Sequence, residues 1–228
     1  HAFNGDVKFG RNTMPVVTML TPTVGCVVYT PDANTATYVA EVTVSGTTIT
    51  TGTPAVLHSV NNTAADDITL KRLSDTKAVV SYRAADNNKG GQGPAMLRCI
   101  LIGSSSMTVG PAEQLSTAQT NWSSLYGGGY LGYFATHVTI EPISETQILY
   151  AYNGDQCWPV YSSSSSGTGL CVGEVTNAGT LFSQHAGSHD QKLIDANFSV
   201  WPKMVKLSDI PNDGAHAGSS IARVAIMY

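Results

Sequence analysis

Leu73-Ser74-Asp75-Thr76-Lys77-Ala78-Val79-Val80-Ser81-Tyr82 is a polar turn followed by a short apolar run that closes on an aromatic ring. Ser, Asp and Thr hydrogen-bond their own backbone and favour tight turns, whereas Ala-Val-Val-Ser-Tyr has the length and branching of a buried strand. The chain restates the phrase with Leu20 opening and Tyr29 closing it, and again with Ile143 and Tyr152. A fourth version opens at Leu207-Ser208-Asp209 and closes, after an interruption, at Tyr228. Self-similarity at a fixed unit size decides architecture before any single residue is interpreted.

Working outward, Val17 precedes Leu20, Ile68 and Leu70 precede Leu73, Val138 and Ile140 precede Ile143, and Met204 precedes Leu207. The period of two predicts a first strand in each unit. After the closing Tyr, third strands are expected over residues 38–44, 96–102 and 170–176, and fourth strands over 48–51, 107–109 and 180–182. Gly52-Thr53-Pro54 and Gly110-Pro111 stand where the fourth strand is expected to end. Four antiparallel strands per unit is the grammar of a β-propeller blade. The expectation is therefore an all-β, single-domain chain over 1–228, a β-propeller-like array of about four blades. The units fall near 15–57, 66–115, 136–184 and 198–228. The last is two strands short, and residues 1–14, which alternate from Ala2 to Phe9, are expected to complete it. A β-sandwich is the alternative, and the near-identical internal grammar counts against it.

Composition narrows the function classes. Charged residues are 12% of the 228, about half the usual share, and apolar residues are 42%. That balance opposes disorder and suits short strands joined by small-residue turns. The net charge is −4 with scattered Lys and Arg, so no nucleic-acid partner is expected. No apolar run reaches the length of a membrane span.

The phrases Leu-Ser-Asp-Thr-Lys-Ala-Val-Val-Ser-Tyr (73–82) and Val-Thr-Val-Ser-Gly-Thr-Thr-Ile-Thr-Thr-Gly-Thr-Pro (42–54) resemble the repeats of propeller-like proteins of bacteriophages, marine viruses and some bacteria. Those are often labelled tail-fibre or virion proteins. The resemblance covers most of residues 15–182. It implies a virion-associated, extracellular structural protein and is specific for the repeat rather than for an activity.

Catalytic constellations are sparse. A sialidase-like propeller needs clustered arginines, yet only Arg11, Arg72, Arg83, Arg98 and Arg223 occur, and the units do not repeat them. Arg72 and Arg83 read as solvated strand-end charges. His185 and His189 sit in a Gly-containing polar stretch without a helical period, so they read as a loop rather than a metal site. Asp32, Asn34, Asp86, Asn87, Asn88, Asn153 and Asp155 follow the closing tyrosines, where tight turns favour Asn and Asp. No nucleophile elbow or phosphate loop is present. No catalytic residue, metal or cofactor is expected, and the chain reads as a non-enzyme.

The informative stretch is aromatic. Trp122, Tyr126 and Tyr130 lie among Gly and Ser between the second and third units, and Trp158 and Tyr161 lie in the insertion of the third. Rigid amphipathic rings on a flexible backbone resemble a paratope in composition, and such rings suit sugar stacking. The competing reading is that these rings fill gaps between blades or meet another subunit. Cys157 and Cys171 flank a Ser/Gly-rich loop and can close it as a disulfide or remain thiols; the sequence leaves both open. Cys26 and Cys99 read as small buried hydrophobes. The expected function is a structural or adhesive component of a virion (tail fibre, spike or capsid surface). Its loops would bind host-surface glycan or other virion proteins, in a homo-oligomer. A secreted carbohydrate-binding lectin is the alternative, and a divergent glycan hydrolase a weaker one.

Overall fold

The computed structural model describes residues 15–31, 35–60, 64–84, 95–103, 106–114, 137–154, 167–176, 181–183, 192–195, 203–207, 210–211, 220–221 and 224–227. All regular structure among them is β, in antiparallel sheets. The first sheet holds β1 (Val16–Met19), β2 (Val24–Tyr29), β3 (Thr37–Ser45), β4 (Thr48–Thr51) and β5 (Ala55–His58). The second holds β6 (Asp66–Ser74), β7 (Lys77–Arg83), β8 (Ala95–Ile102), β9 (Met107–Val109) and β10 (Glu113–Gln114). The third holds β11 (His137–Pro142), β12 (Gln147–Gly154), β13 (Gly167–Val175), β14 (Leu181–Ser183) and β15 (Lys192–Asp195). The opening phrase is thus the turn into the second strand of each sheet, as its composition predicts.

One expectation needs correction. Each sheet has five strands, because the fourth position is shared by two short ones lying end to end. β4 pairs with the later part of β3 and β5 with its beginning. β9 and β10 divide β8 in the same way, as β14 and β15 divide β13. Gly52-Thr53-Pro54 and Gly110-Pro111 do not end the edge; they interrupt it. Proline has no N–H for the ladder, so the strand breaks and resumes beyond it. The resumed strand of the third sheet, β15, lies past residue 184.

The fourth unit begins as predicted and is split. β16 (Lys203–Lys206) pairs with β19 (Val224–Met227), and β17 (Ile210–Pro211) with β18 (Ser220–Ile221). The two ladders continue one another with a single-residue shift, from Lys206↔Val224 to Ile210↔Ile221. Residues 1–14 lie outside the described residues.

Strand alternation sorts the core. Cys26 and Val28 on β2 pack with Ala78, Val80 and Tyr82 on β7, so the first and second sheets stack face to face. Val79, Leu97 and Cys99 on the other face of the second sheet pack with Val138, Ile140, Ile148 and Tyr150 of the third. Each β-branched or leucine side chain buried in this way stabilises by roughly 1.5–3 kcal/mol relative to exposure. The first strands of the four units form a row: β1 lies against β6, β6 against β11, and β11 against β16. The far face of the first sheet is buried as well. Val27 is 0% exposed there and clusters with Tyr29, Ala40 and Val42, all from the first sheet among the described residues.

Candidate functional site

The stacked sheets have two unlike ends. At one, the turns between first and second strands repeat atom for atom. The hydroxyls of Thr21, Ser74 and Ser144 accept from the N–H groups of Thr23, Thr76 and Thr146 at 3.3, 3.4 and 3.2 Å. The carbonyls of Thr23, Thr76 and Thr146 in turn accept from the N–H groups of Val44, Ile102 and Val175 at 2.7, 2.9 and 2.8 Å. The phrase thereby ties its turn to the third strand of the same sheet. The positions that looked like a motif satisfy backbone groups.

At the other end, where the closing tyrosines stand, the connections run from seven residues upward and are not copied from unit to unit: 30–36, 84–94 and 155–166 between second and third strands, and 59–65, 115–136 and 196–202 between units. Trp122, Tyr126, Tyr130, Trp158, Tyr161 and Cys157 lie outside the described residues. So do His185, His189, Asp32, Asn34, Asp86, Asn87, Asn88 and Asp155. The strands on either side of the two aromatic segments are described. His137, which follows 115–136, is the register partner of Asn153, and Gly154, which precedes 155–166, is the partner of Gly167. Both aromatic segments therefore attach to neighbouring strands at the same end of the third sheet.

That attachment is reinforced across the sheets. Two bulges shift the β6–β7 register so that Asp66 comes opposite Arg83. The Arg83 Nε–H donates to Asp66 Oδ1 at 2.6 Å, and a second guanidinium nitrogen pairs with Oδ2. This fork keeps the part-buried guanidinium charged and raises its pKa further; burial pulls the other way. Beside it Asp67 takes a positive φ of 51°, a conformation that Asp tolerates better than most residues, and its carboxylate accepts the Val138 N–H at 3.1 Å. Lys71 reaches Glu141 at 2.8 Å, again from the second sheet to the third. Arg83, expected as a solvated charge, is instead part-buried and pinned to Asp66 within the second sheet, next to the Asp67 that reaches the third; Arg72, paired with Asp75, is exposed as expected.

Between the first and second sheets the same end holds a buried polar group. The Thr30 and Thr37 hydroxyls lie 3.0 Å apart, and Thr37 Oγ1 accepts the Ala65 N–H at 2.8 Å. The His58 ring is buried 5.6 Å from that of Tyr82. Burial raises the Tyr82 hydroxyl pKa, and the neighbouring Arg98 guanidinium pulls it back. On the far face Tyr29 stacks with Tyr38 at 6.0 Å. None of the His58, Asp67 and Arg98 placements is visible in the sequence, because each depends on a bulge or on which sheet a strand faces.

Cys26 and Cys99 are buried free thiols, as expected. Burial pushes their pKa values up to about 12 and about 11, which removes thiolate character at neutral pH. Cys171 sits on β13 opposite Tyr150, and its pairing with Cys157 lies outside the described residues. Among the described residues no cluster of His, Cys, Asp or Glu is placed to hold a metal ion, and no helix is long and apolar enough to cross a membrane. No protein-family model matches the chain, and no curated protein matches it either.

Proposed function

We propose that the chain is a non-enzymatic display module of a virion, a propeller-like array of about four blades with residues 1–14 completing the last. On this reading it belongs to a bacteriophage tail fibre, spike or capsid surface and works extracellularly, among other virion proteins and further copies of itself. The rigid sheets present the aromatic segments 115–136 and 155–166 to a host-surface glycan or a neighbouring subunit. One observation carries the reading: the His137↔Asn153 and Gly154↔Gly167 pairings attach both segments to adjacent strands at one end of one sheet. Trp and Tyr carried on segments that leave the same end of one sheet suit a sugar, whose faces stack on such rings. Each contact is weak, and several copies on one particle supply avidity.

The row of first strands and the buried far face of the first sheet support the propeller-like arrangement, since an open stack would leave Val27 wet. The test is a glycan array probed with the full chain and with Trp122→Ala and Trp158→Ala. Signal lost in either variant, with folding intact, supports display. Equal binding by all three proteins, or loss only through unfolding, refutes the assignment to these loops. Finding the chain in purified particles, by mass spectrometry of their separated parts, tests the virion placement. Release of free sugar from host polysaccharide would overturn the non-enzymatic reading.

A further inference from the structure

Three arginines rise from the second sheet, and two of them have carboxylates. Arg72 pairs with Asp75 and Arg83 with Asp66. Arg98 makes no ion pair among the described residues, although it is half-buried and its Nε is sealed from solvent without a hydrogen-bond partner. A part-buried guanidinium without an anion carries a desolvation cost, and a sealed Nε–H without a partner calls for an explanation. The register gives its direction. Arg98 stands opposite Val80 and shares a face of β8 with Met96 and Ile100, and those three residues pack toward the first sheet. There the guanidinium neighbours the Tyr82 hydroxyl, and the His58 ring comes from the facing sheet against Tyr82. Beside Arg98 the edge ladder is interrupted: β10 pairs as far as Leu97 and β9 as far as Ile100, and between them the Gly110 N–H donates to the Cys99 carbonyl at 2.8 Å. Glu41, on the facing sheet, is engaged by the Thr43 hydroxyl at 3.5 Å and does not pair with Arg98.

We propose that Arg98, with the Tyr82 hydroxyl and the His58 ring, forms an oxyanion subsite where the first and second sheets face each other, beside the interrupted edge of the second. It takes one carboxylate or sulfate group of the kind acidic sugars carry. The planar guanidinium matches either group in fork geometry, and a phenol hydroxyl supplies a further donor. The subsite rests on the glycan reading only for the source of the anion. Its residues belong to the described sheets rather than to the aromatic segments.

The test uses the full chain titrated with sodium glucuronate and with sodium sulfate, each against sodium chloride at equal ionic strength. The readouts are the arginine Nε–H resonances and the unfolding temperature. A saturable response to either anion is expected, weakened about tenfold or more in Arg98→Met and partly kept in Arg98→Lys. Glucuronate alone identifies a sugar carboxylate and sulfate alone a sulfated sugar. In chloride, Arg98→Met should unfold at the same temperature as the parent or higher, because an uncompensated buried charge has been removed. A response identical in Arg98→Met, or no saturable response in the parent, overturns the subsite. Early unfolding of Arg98→Met without any anion response in the parent assigns the guanidinium to packing instead. An anion response that survives Trp122→Ala separates this proposal from the fate of the loop assignment.

Discussion

The turn end and the loop end are made from the same three sheets, yet only the turn end repeats. At the turn end one hydroxyl and one carbonyl per unit satisfy the same N–H groups each time, and the side chains between them vary freely, as Pro22, Asp75 and Glu145 do. At the loop end the connections differ in length and composition, and the anchoring devices differ too. The first unit uses a threonine pair, and the second uses the Asp66–Arg83 fork with Asp67. The difference teaches where constraint lies. A turn that closes its own hydrogen bonds is copied unchanged, whereas a connection that leaves the sheet is free to diverge once its two attachment strands are fixed.

The strongest way to break this contrast is Tyr82→Ala. Tyr82 stands at the loop end but is only 1% exposed, wedged between two sheets. Its truncation is expected to cost about 3–5 kcal/mol, read from the urea midpoint. Normal stability in that assay would show that Tyr82 does not hold the two sheets together. Next comes Gly25→Ala at the turn end, where an added Cβ would lie 2.5 Å from the Thr18 carbonyl oxygen and 2.8 Å from Met19 Sδ. The backbone oxygen belongs to the β1–β2 ladder and cannot withdraw freely, so a loss of about 1–3 kcal/mol is expected in the same assay. Ser74→Ala removes one turn hydrogen bond and should cost about 0.5–1 kcal/mol. The smallest stability effect belongs to Trp122→Ala and Trp158→Ala, within about 0.5 kcal/mol if the rings are displayed. A loss of several kcal/mol there would make them part of the core and dissolve the contrast.

Much of the fold is legible in the sequence. The recurrence of an opening Leu or Ile, a polar turn ending in Thr, an apolar run and a closing Tyr places the second strand of each of the three sheets. The apolar run of residues 96–102 places β8. The division of the outer strand is not legible, because Gly-Thr-Pro reads equally as a stop and as a break; only the pairing of the next segment with the same neighbour tells them apart. The Asp66–Arg83 fork is hidden for a related reason. A regular hairpin about Asp75-Thr76 would set Arg83 opposite Ile68, and two bulges move it to Asp66. Bulges arise from tertiary fit and leave no mark in a local pattern. Arg98 has the composition of any strand charge, and its half-buried place follows only from the stacking of one sheet on the next. The aromatic residues chosen from sequence lie beyond the described strands, so their recognition role is for the glycan array to decide.

The broken outer edge has a further consequence. A long, unbroken edge strand offers neighbouring molecules a row of free N–H and C=O groups, the template from which fibrils grow. Here that row is cut by Gly52-Thr53-Pro54 in the first sheet and by Gly110-Pro111 in the second, leaving segments of two to four paired residues on each side. Copies of the chain that meet edge to edge are then poorly placed to zip together. The price in lost ladder bonds is small beside the protection against uncontrolled polymerisation.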